Sequence, residues 1–282
     1  MRLHFLVFAL TTLAGLLPVW LTSGTAEAQE ARRNVSQCQA IAQAIPKASF
    51  ASFSGPAPIM SAAMADETVT ITYIGHSTFL IETPGGISIA TDYSGWYTPP
   101  RMPMVATMNR AHSSHYTLAP DPAIKYVLHG WSDVPGEKAK IDMVVGDTYI
   151  RNVTTDIRGG YGAPQADGNS IFIFEVAGLC IGHLGHLHYE LTDAHYTEIG
   201  RLDIVMVPVD GGLTMGADSM SRIIKRLRSS LILPMHQPRP LASFLSMFGP
   251  DFDIVYAPTD SISVSMRTLP RKPQIYVAKG MQ

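Results

Sequence analysis

The chain has ten histidines, and six of them fall in three short stretches. His112 and His115 bracket Ser113-Ser114, His183, His186 and His188 crowd a second stretch, and His236 follows an apolar run at 231–235. Imidazole is the commonest nitrogen ligand for zinc, and three protein ligands with an open position make a catalytic site. Two cysteines, Cys38 and Cys180, are too few for a cysteine-only zinc site. Metal chemistry here must rest on histidines and carboxylates, and the candidate ligands are His112, His115, His183, His186 and His236. His129, before Gly130-Trp131, reads as structural, and His195, within a helical stretch, as a surface residue. His76, in the turn Gly75-His76, either stands near the site or stabilises its own turn.

These groups need elements to position them. Residues 68–74 alternate as a strand should, and 77–82 and 87–91 flank Pro84-Gly85-Gly86 as a hairpin. Further strands are predicted at 104–108, 125–128, 141–145 and 148–153, and 170–176 joins 179–181 through Ala177-Gly178. A helix over 192–199 opens on Thr192-Asp193, and 204–209 is a continuous apolar strand. Residues 217–230 form an amphipathic helix with Ile223, Ile224 and Leu227 on one side and Arg222, Lys225, Arg226 and Arg228 on the other. A strand at 231–235, a helix at 241–248 and short strands near Ile254, Ile262 and Ile275 follow. Hairpins first and strand–helix–strand units later predict an α/β fold, an αββα sandwich. The three histidine groups then stand at the C-terminal ends of strands, where crevices of such sheets build sites. Gly159-Gly160 and Gly211-Gly212 lack the spacing and ending of a phosphate loop.

The 282 residues are 46% hydrophobic and 16% charged, enough apolar material for a core and too little charge for disorder. A net charge of −2 carries no basic excess, so nucleic acid is not an expected partner. Met1-Arg2, an apolar run over 5–17 and the small residues of Ala26-Glu27-Ala28 have the order of a secretory signal. The expected organisation is a signal peptide at 1–28, a leader and linker at 29–65 with a short helix near 35–45, and one domain at 66–282. No later segment is long and apolar enough to span a bilayer, and a periplasmic or secreted location is predicted. In an oxidising compartment Cys38 and Cys180 pair, or Cys180 stays a buried thiol. Met102, Met104 and Met108, ahead of the first histidine group, raise a further reading as copper(I) ligands.

Residues 68–237 resemble the metallo-β-lactamase superfamily, in its branch of broad zinc-dependent hydrolases. Related branches include ascorbate-6-phosphate lactonase and N-acylphosphatidylethanolamine phospholipase D. The resemblance is carried by Ile74-Gly75-His76-Ser77-Thr78-Phe79-Leu80-Ile81, Thr91-Asp92, Asn109-Arg110-Ala111-His112-Ser113-Ser114-His115, Ile181-Gly182-His183-Leu184-Gly185-His186, Val207-Pro208-Val209-Asp210-Gly211-Gly212 and Leu233-Pro234-Met235-His236. The family loop reads His-x-His-x-Asp-His. Here Arg110 stands at the first His, His112 and His115 match, and Ser114 replaces the Asp. On the later strand His183 matches and His186 takes the place of a bridging Asp, while His236 matches the final ligand.

The resemblance implies an exported hydrolase that uses a zinc-activated water on an ester, lactone, amide or phosphoester of a small molecule. Without a bridging carboxylate, one zinc ion held by three of the five imidazoles is expected rather than two. Arg110 is then a candidate contact for an anionic substrate group or developing oxyanion, and Asp210 and His188 are candidates for supporting or proton-transfer roles. Loops at 93–101 and 158–168, with Trp96, Tyr97 and Tyr161, are candidate substrate walls. The alternative is a degenerate member that binds metal or ligand without catalysis.

Overall fold

The structure, a computed structural model, describes residues 36–40, 67–159, 163–236 and 241–282. The expected signal peptide and most of the leader lie outside the described residues. Among the described residues there are fourteen strands: β1 (Val69–Gly75), β2 (Thr78–Glu82), β3 (Ser88–Ala90), β4 (Val105–Met108), β5 (Tyr126–His129), β6 (Asp142–Val145), β7 (Thr148–Arg158), β8 (Pro164–Val176), β9 (Leu179–His183), β10 (Ile204–Pro208), β11 (Leu231–Met235), β12 (Asp253–Tyr256), β13 (Ser261–Val264) and β14 (Gln274–Val277). The helices are α1 (Gln37–Ala40), α2 (Asp193–Ile199), α3 (Ala217–Leu227) and α4 (Leu241–Leu245).

Two sheets face each other, one of six strands ordered β13-β1-β2-β3-β4-β5 and one of eight ordered β12-β14-β11-β10-β9-β8-β7-β6. Antiparallel hairpins supply β6 to β9, and parallel pairing joins β9, β10 and β11. Alternation along β10 explains how one strand serves two cores. Ile204 and Met206 join Phe79, Ile81, Phe172 and Phe174 between the sheets. Val205 and Val207 join Ile223, Ile224 and Phe244 beneath the helices. A strand buried on both faces reads as a continuous apolar run, as this one does. Among the described residues the helices pack on the eight-stranded sheet. A small cluster containing Tyr93, Ile124 and Trp131 packs on Ala90, Ala106 and Met108 of the other. No helix of the described residues is long and apolar enough to cross a membrane.

Local chemistry sets the helix ends. Thr192 caps α2 by accepting the His195 N–H, and the His195 ring accepts the Thr192 N–H in return, a capping box that uses His195 structurally. Arg226 of α3 lies 3.8 Å over the Tyr196 ring of α2, holding the two helices together.

Cys38 and Cys180 form a disulfide spanning 142 residues, which fastens the described end of the leader to β9. Beside it, buried Glu175 accepts hydrogen bonds from Ser36 Oγ at 2.6 Å, from the Gln37 N–H at 2.8 Å and from Arg151 Nε at 2.8 Å. Arg151 also donates from Nη1 and Nη2 to the carbonyls of Glu198 and Ile199, so each of its three nitrogens has a partner. The acid also sits at the start of α1, where it favours the exposed N–H groups.

Replacing both cysteines by serine is expected to lower unfolding stability by about 2–4 kcal/mol, the usual worth of a long-loop disulfide. Chemical denaturation of wild type and variant checks this, and equal midpoints would refute it.

Candidate metal centre

The site gathers at one rim of the sandwich, where turns from both sheets meet. The turn after β1 brings His76 and Ser77, the loop after β4 brings His112, Ser114 and His115, and the chain after β9 brings His186 and His188. Asp210 follows β10 and His236 follows β11. The two sheets are stitched there by the His236 N–H, which donates to the His76 carbonyl at 2.8 Å.

Two of these imidazoles are held by carboxylates. His115 is fully buried, and its Nδ1–H donates to Asp92 Oδ2 at 2.6 Å. Asp92 in turn accepts from the Asn109 amide at 2.8 Å, and Asn109 Oδ1 accepts the Ser170 N–H at 2.7 Å. His236 repeats the design: its Nδ1–H donates to Asp210 Oδ2 at 2.8 Å, while Asp210 Oδ1 accepts the N–H groups of Gly212 and Thr214 at 3.0 and 2.9 Å. In both cases the tautomer is set, and Nε2 is left as a lone pair. Among the described residues, His115 Nε2 and His236 Nε2 are buried with no hydrogen-bond partner. Such a group costs about 1–3 kcal/mol of desolvation unless something binds it. Buried imidazole lone pairs aligned by carboxylates are the donor arrangement a borderline dication takes, so these residues fit a metal.

The other imidazoles form a hydrogen-bonded string. The Arg158 N–H donates to His188 Nδ1 at 2.8 Å, which places the His188 proton on Nε2. That nitrogen lies 2.9 Å from His186 Nδ1 and 3.0 Å from the Leu213 carbonyl. The direction propagates: His186 Nε2 to His112 Nε2 at 2.9 Å, His112 Nδ1 to Ser114 Oγ at 2.8 Å, and Ser114 Oγ to His76 Nε2 at 2.9 Å. Two triads bring their ligand nitrogens within 4.8 Å of one another, His76–His115–His236 and His112–His115–His186.

The structure thus brings together four of the five expected ligands, His112, His115, His186 and His236. His183 is the correction. Its Nε2 donates to the Ser77 carbonyl at 2.9 Å and its Nδ1 accepts the Gly185 N–H at 3.1 Å. With both nitrogens engaged inside the protein, His183 sits as a strut beneath the centre and in neither triad. Asp210 orients His236, and His188 ends the imidazole string next to a cleft of about 510 Å³ lined by Arg158, Tyr189, Thr214 and Ser219. Arg110 is exposed and makes no hydrogen bond or ion pair among the described residues. The copper(I) reading loses its geometry, because Met108 is buried in a core and Met104 packs half-buried against another, while Met102 is exposed. Tyr97 stacks on His76 with centroids 6.0 Å apart, Trp96 is exposed, and Tyr161 lies outside the described residues. His129 stacks flat on Trp131, as a structural histidine does.

His76 and Asp92 are the residues that spacing alone undervalued. Both sit in the left-handed region, with φ of 52° and 41°, and His236 joins them at 73°. Such conformations cost about 1–3 kcal/mol each and gather where surroundings over-determine them for a purpose.

Burial sets the charge state. It lowers the pKa of His76 to about 4, helped by His236 and His112, and that of His188 to about 4, helped by Arg158. Burial first, and neighbouring imidazoles second, also depress His115 and His186. For Asp210 burial pushes upward, but the His236, Thr214 and Gly212 donors outweigh it and hold the carboxyl well below its ordinary value. His76, His112, His115, His186 and His188 are therefore held towards the neutral form. Histidines with depressed pKa values bind protons in the unfolded chain first. In the chelated protein, stability is therefore expected to be full above pH 6.5 and to fall as pH drops from 6.5 towards about 4. Thermal melts across that window check it, and a flat profile would contradict the assignment.

The Beta-lactamase superfamily domain matches residues 70–236. A metal-dependent hydrolase of Pyrococcus furiosus is 25% identical over 192 residues, covering 60% of this chain and 84% of that protein. A structure from Thermotoga maritima, assigned as a Zn-dependent hydrolase of the metallo-beta-lactamase superfamily, superposes with a TM-score of 0.54 at 26% identity, covering 74% of this chain and 98% of its own. A Parabacteroides distasonis structure assigned as a metal-dependent hydrolase shares the fold at a TM-score of 0.53 and 12% identity, covering 75% of this chain and 93% of its own. The matched domain spans more than half the chain, which belongs to the metallo-β-lactamase superfamily and is one of its metal-dependent hydrolases.

Proposed function

We propose that the protein is an exported zinc hydrolase acting on an ester, lactone, amide or phosphoester bond of a small molecule. The observation that carries this reading is the pair of buried, unpartnered nitrogens His115 Nε2 and His236 Nε2, each turned by a carboxylate. Those two residues would hold the ion. Bound zinc supplies Lewis-acid polarisation of a carbonyl or phosphoryl group and an acidified water.

The chain's own groups do the rest. Asp92 and Asp210 keep the protons of His115 and His236 on Nδ1, so that neither ring turns away from the centre. Both oxygens of Asp210 are engaged by His236, Gly212 and Thr214, so it orients rather than shuttles a proton. His188 carries its proton on Nε2, directed at His186, and faces the cleft beside Arg158 and Thr214, where a substrate of small-molecule size fits. Arg110, exposed on the loop that carries His112 and His115, is free to meet an anionic substrate group. Export is supported by the signal-like order of the first 28 residues and by the Cys38–Cys180 disulfide, which suits an oxidising compartment.

Zinc content and turnover on a panel of carboxylic esters, lactones, amides and phosphodiesters test the reading. Chelation should abolish turnover and zinc should restore it, and His115→Ala or His236→Ala should lower kcat/KM by about a thousandfold, or about 4 kcal/mol. Turnover that survives chelation would overturn it, and a zinc-loaded protein inert across the panel would favour the non-catalytic alternative. Asp210→Asn is expected to weaken zinc affinity about 10- to 100-fold, the usual cost of losing a ligand's orienting partner. Cell fractionation with N-terminal sequencing of the mature chain tests export, and an intact Met1 in the cytosol would refute it.

A further inference from the structure

We infer that His76 is a metal ligand of this chain, standing in for the imidazole that Arg110 has displaced, and that one ion is held by the all-imidazole set His76, His115 and His236. The inference rests on the metal-dependent reading above and specifies its ligands.

Sharing decides the count. The two triads both use His115, whose Nδ1–H is committed to Asp92 at 2.6 Å. One nitrogen lone pair remains, and one lone pair serves one ion. Two ions would need a deprotonated, bridging His115, which the buried Asp92 carboxylate opposes by holding the Nδ1 proton.

Partnering decides which triad. His112 Nε2 and His186 Nε2 already face each other at 2.9 Å, and His186 Nδ1 faces His188 at 2.9 Å. An ion in the His112–His115–His186 set would break that string and still leave His236 Nε2 orphaned. An ion in the His76–His115–His236 set satisfies both orphans at once, at the cost of the one Ser114 Oγ hydrogen bond to His76 Nε2, and leaves the His112–His186–His188 contacts in place.

His76 is built to be held there. A plain turn after β1 would take Gly or Asn in the left-handed region more cheaply than His, yet His76 occupies it at φ 52°. Its ring lies between Tyr97, 6.0 Å away, and His236, 4.3 Å away, both nearly parallel to it. Tyr97 reaches this position because Gly75 has no Cβ: one there would collide with the Tyr97 ring. The His76 carbonyl is pinned by the His236 N–H at 2.8 Å, so the two rings move as one unit. Ser114, at the position of the family's loop carboxylate, bridges His76 Nε2 and His112 Nδ1 by hydrogen bonds.

The ligand chemistry has a consequence. Three neutral imidazoles leave the full positive charge of the ion uncompensated at its ligands, with Asp92 and Asp210 one imidazole further out. Oxygen-seeking ions such as Mg²⁺, Ca²⁺ and Mn²⁺ gain little there, whereas Zn²⁺, Co²⁺ and Cu²⁺ suit imidazole.

The test uses the chelated full-length protein, titrated with Zn²⁺ against a chromophoric competitor and with Co²⁺ by visible absorption. Wild type is expected to bind one ion. His76→Asn keeps a residue tolerant of the left-handed turn and should lose more than about 100-fold in Zn²⁺ affinity, beyond the cost of a lost orienting partner, and change the Co²⁺ spectrum. His76→Ala should do the same while still unfolding in one cooperative transition. His112→Ala should weaken Zn²⁺ by less than about tenfold, a smaller loss than that of any orienting partner at the upper end of its range. Wild-type affinity and spectrum in His76→Asn, or two ions in wild type, would overturn this assignment while the metal-dependent reading stands. A folded wild type that binds no Zn²⁺, Co²⁺ or Cu²⁺ would overturn both.

Discussion

The centre depends on a single kind of contact, an imidazole Nδ1–H donating to a buried carboxylate. Asp92 does this for His115 and Asp210 for His236. A free imidazole can turn or change tautomer, and a metal must then compete with both motions. Here each carboxylate selects the tautomer and the ring angle before any ion arrives. The cost is carried by the surrounding structure: three residues in the left-handed region and two buried nitrogens without partners. Such a cost is sustained only by a fold whose core is stable without the site.

That stability comes from two apolar layers that share one sheet. Phe172, Phe174, Met206 and Leu233 pack against the six-stranded sheet, and Val205, Val207, Ile223 and Phe244 pack beneath the helices. The strands therefore end in register at one rim, and the turns beyond them, freed from ladder hydrogen bonds, carry the polar groups. The Glu175–Arg151 pair and the Cys38–Cys180 disulfide add a clamp away from that rim, fixing the described part of the leader to β8 and β9. A disulfide that closes so long a loop acts mainly by restricting the unfolded chain.

The departures from the family's metal loop are mutually consistent in space. Ser114, too weak a ligand to replace an Asp, becomes the hydrogen-bond link between His76 and His112. His186, at the place of a bridging carboxylate, meets His112 and His188 instead. Loss of anionic ligands lowers the number of dications that can sit close together, and the same substitutions replace negative charge with a neutral imidazole network. The centre is altered as a unit, not eroded residue by residue.

Most of the architecture was legible in the linear chain. The period-two runs of β1 and β2, the Ala177-Gly178 turn, the Thr192 cap of α2 and the amphipathic face of α3 each rest on local rules that the fold obeys. The clustering of His112, His115, His186 and His236 was legible too, because strand ends converge in any such sheet. Spacing could not tell which way a ring faces. His183 ends β9 with its nitrogens spent on Ser77 and Gly185, and His76, distant in sequence from the other groups, enters the centre through a left-handed turn packed on Tyr97. Residue type and periodicity are properties of the chain, and they determined the elements and the candidate chemistry. Ring direction, proton position and the identity of the unpartnered nitrogens depend on neighbours brought from elsewhere in the sequence, and only the folded molecule decided them.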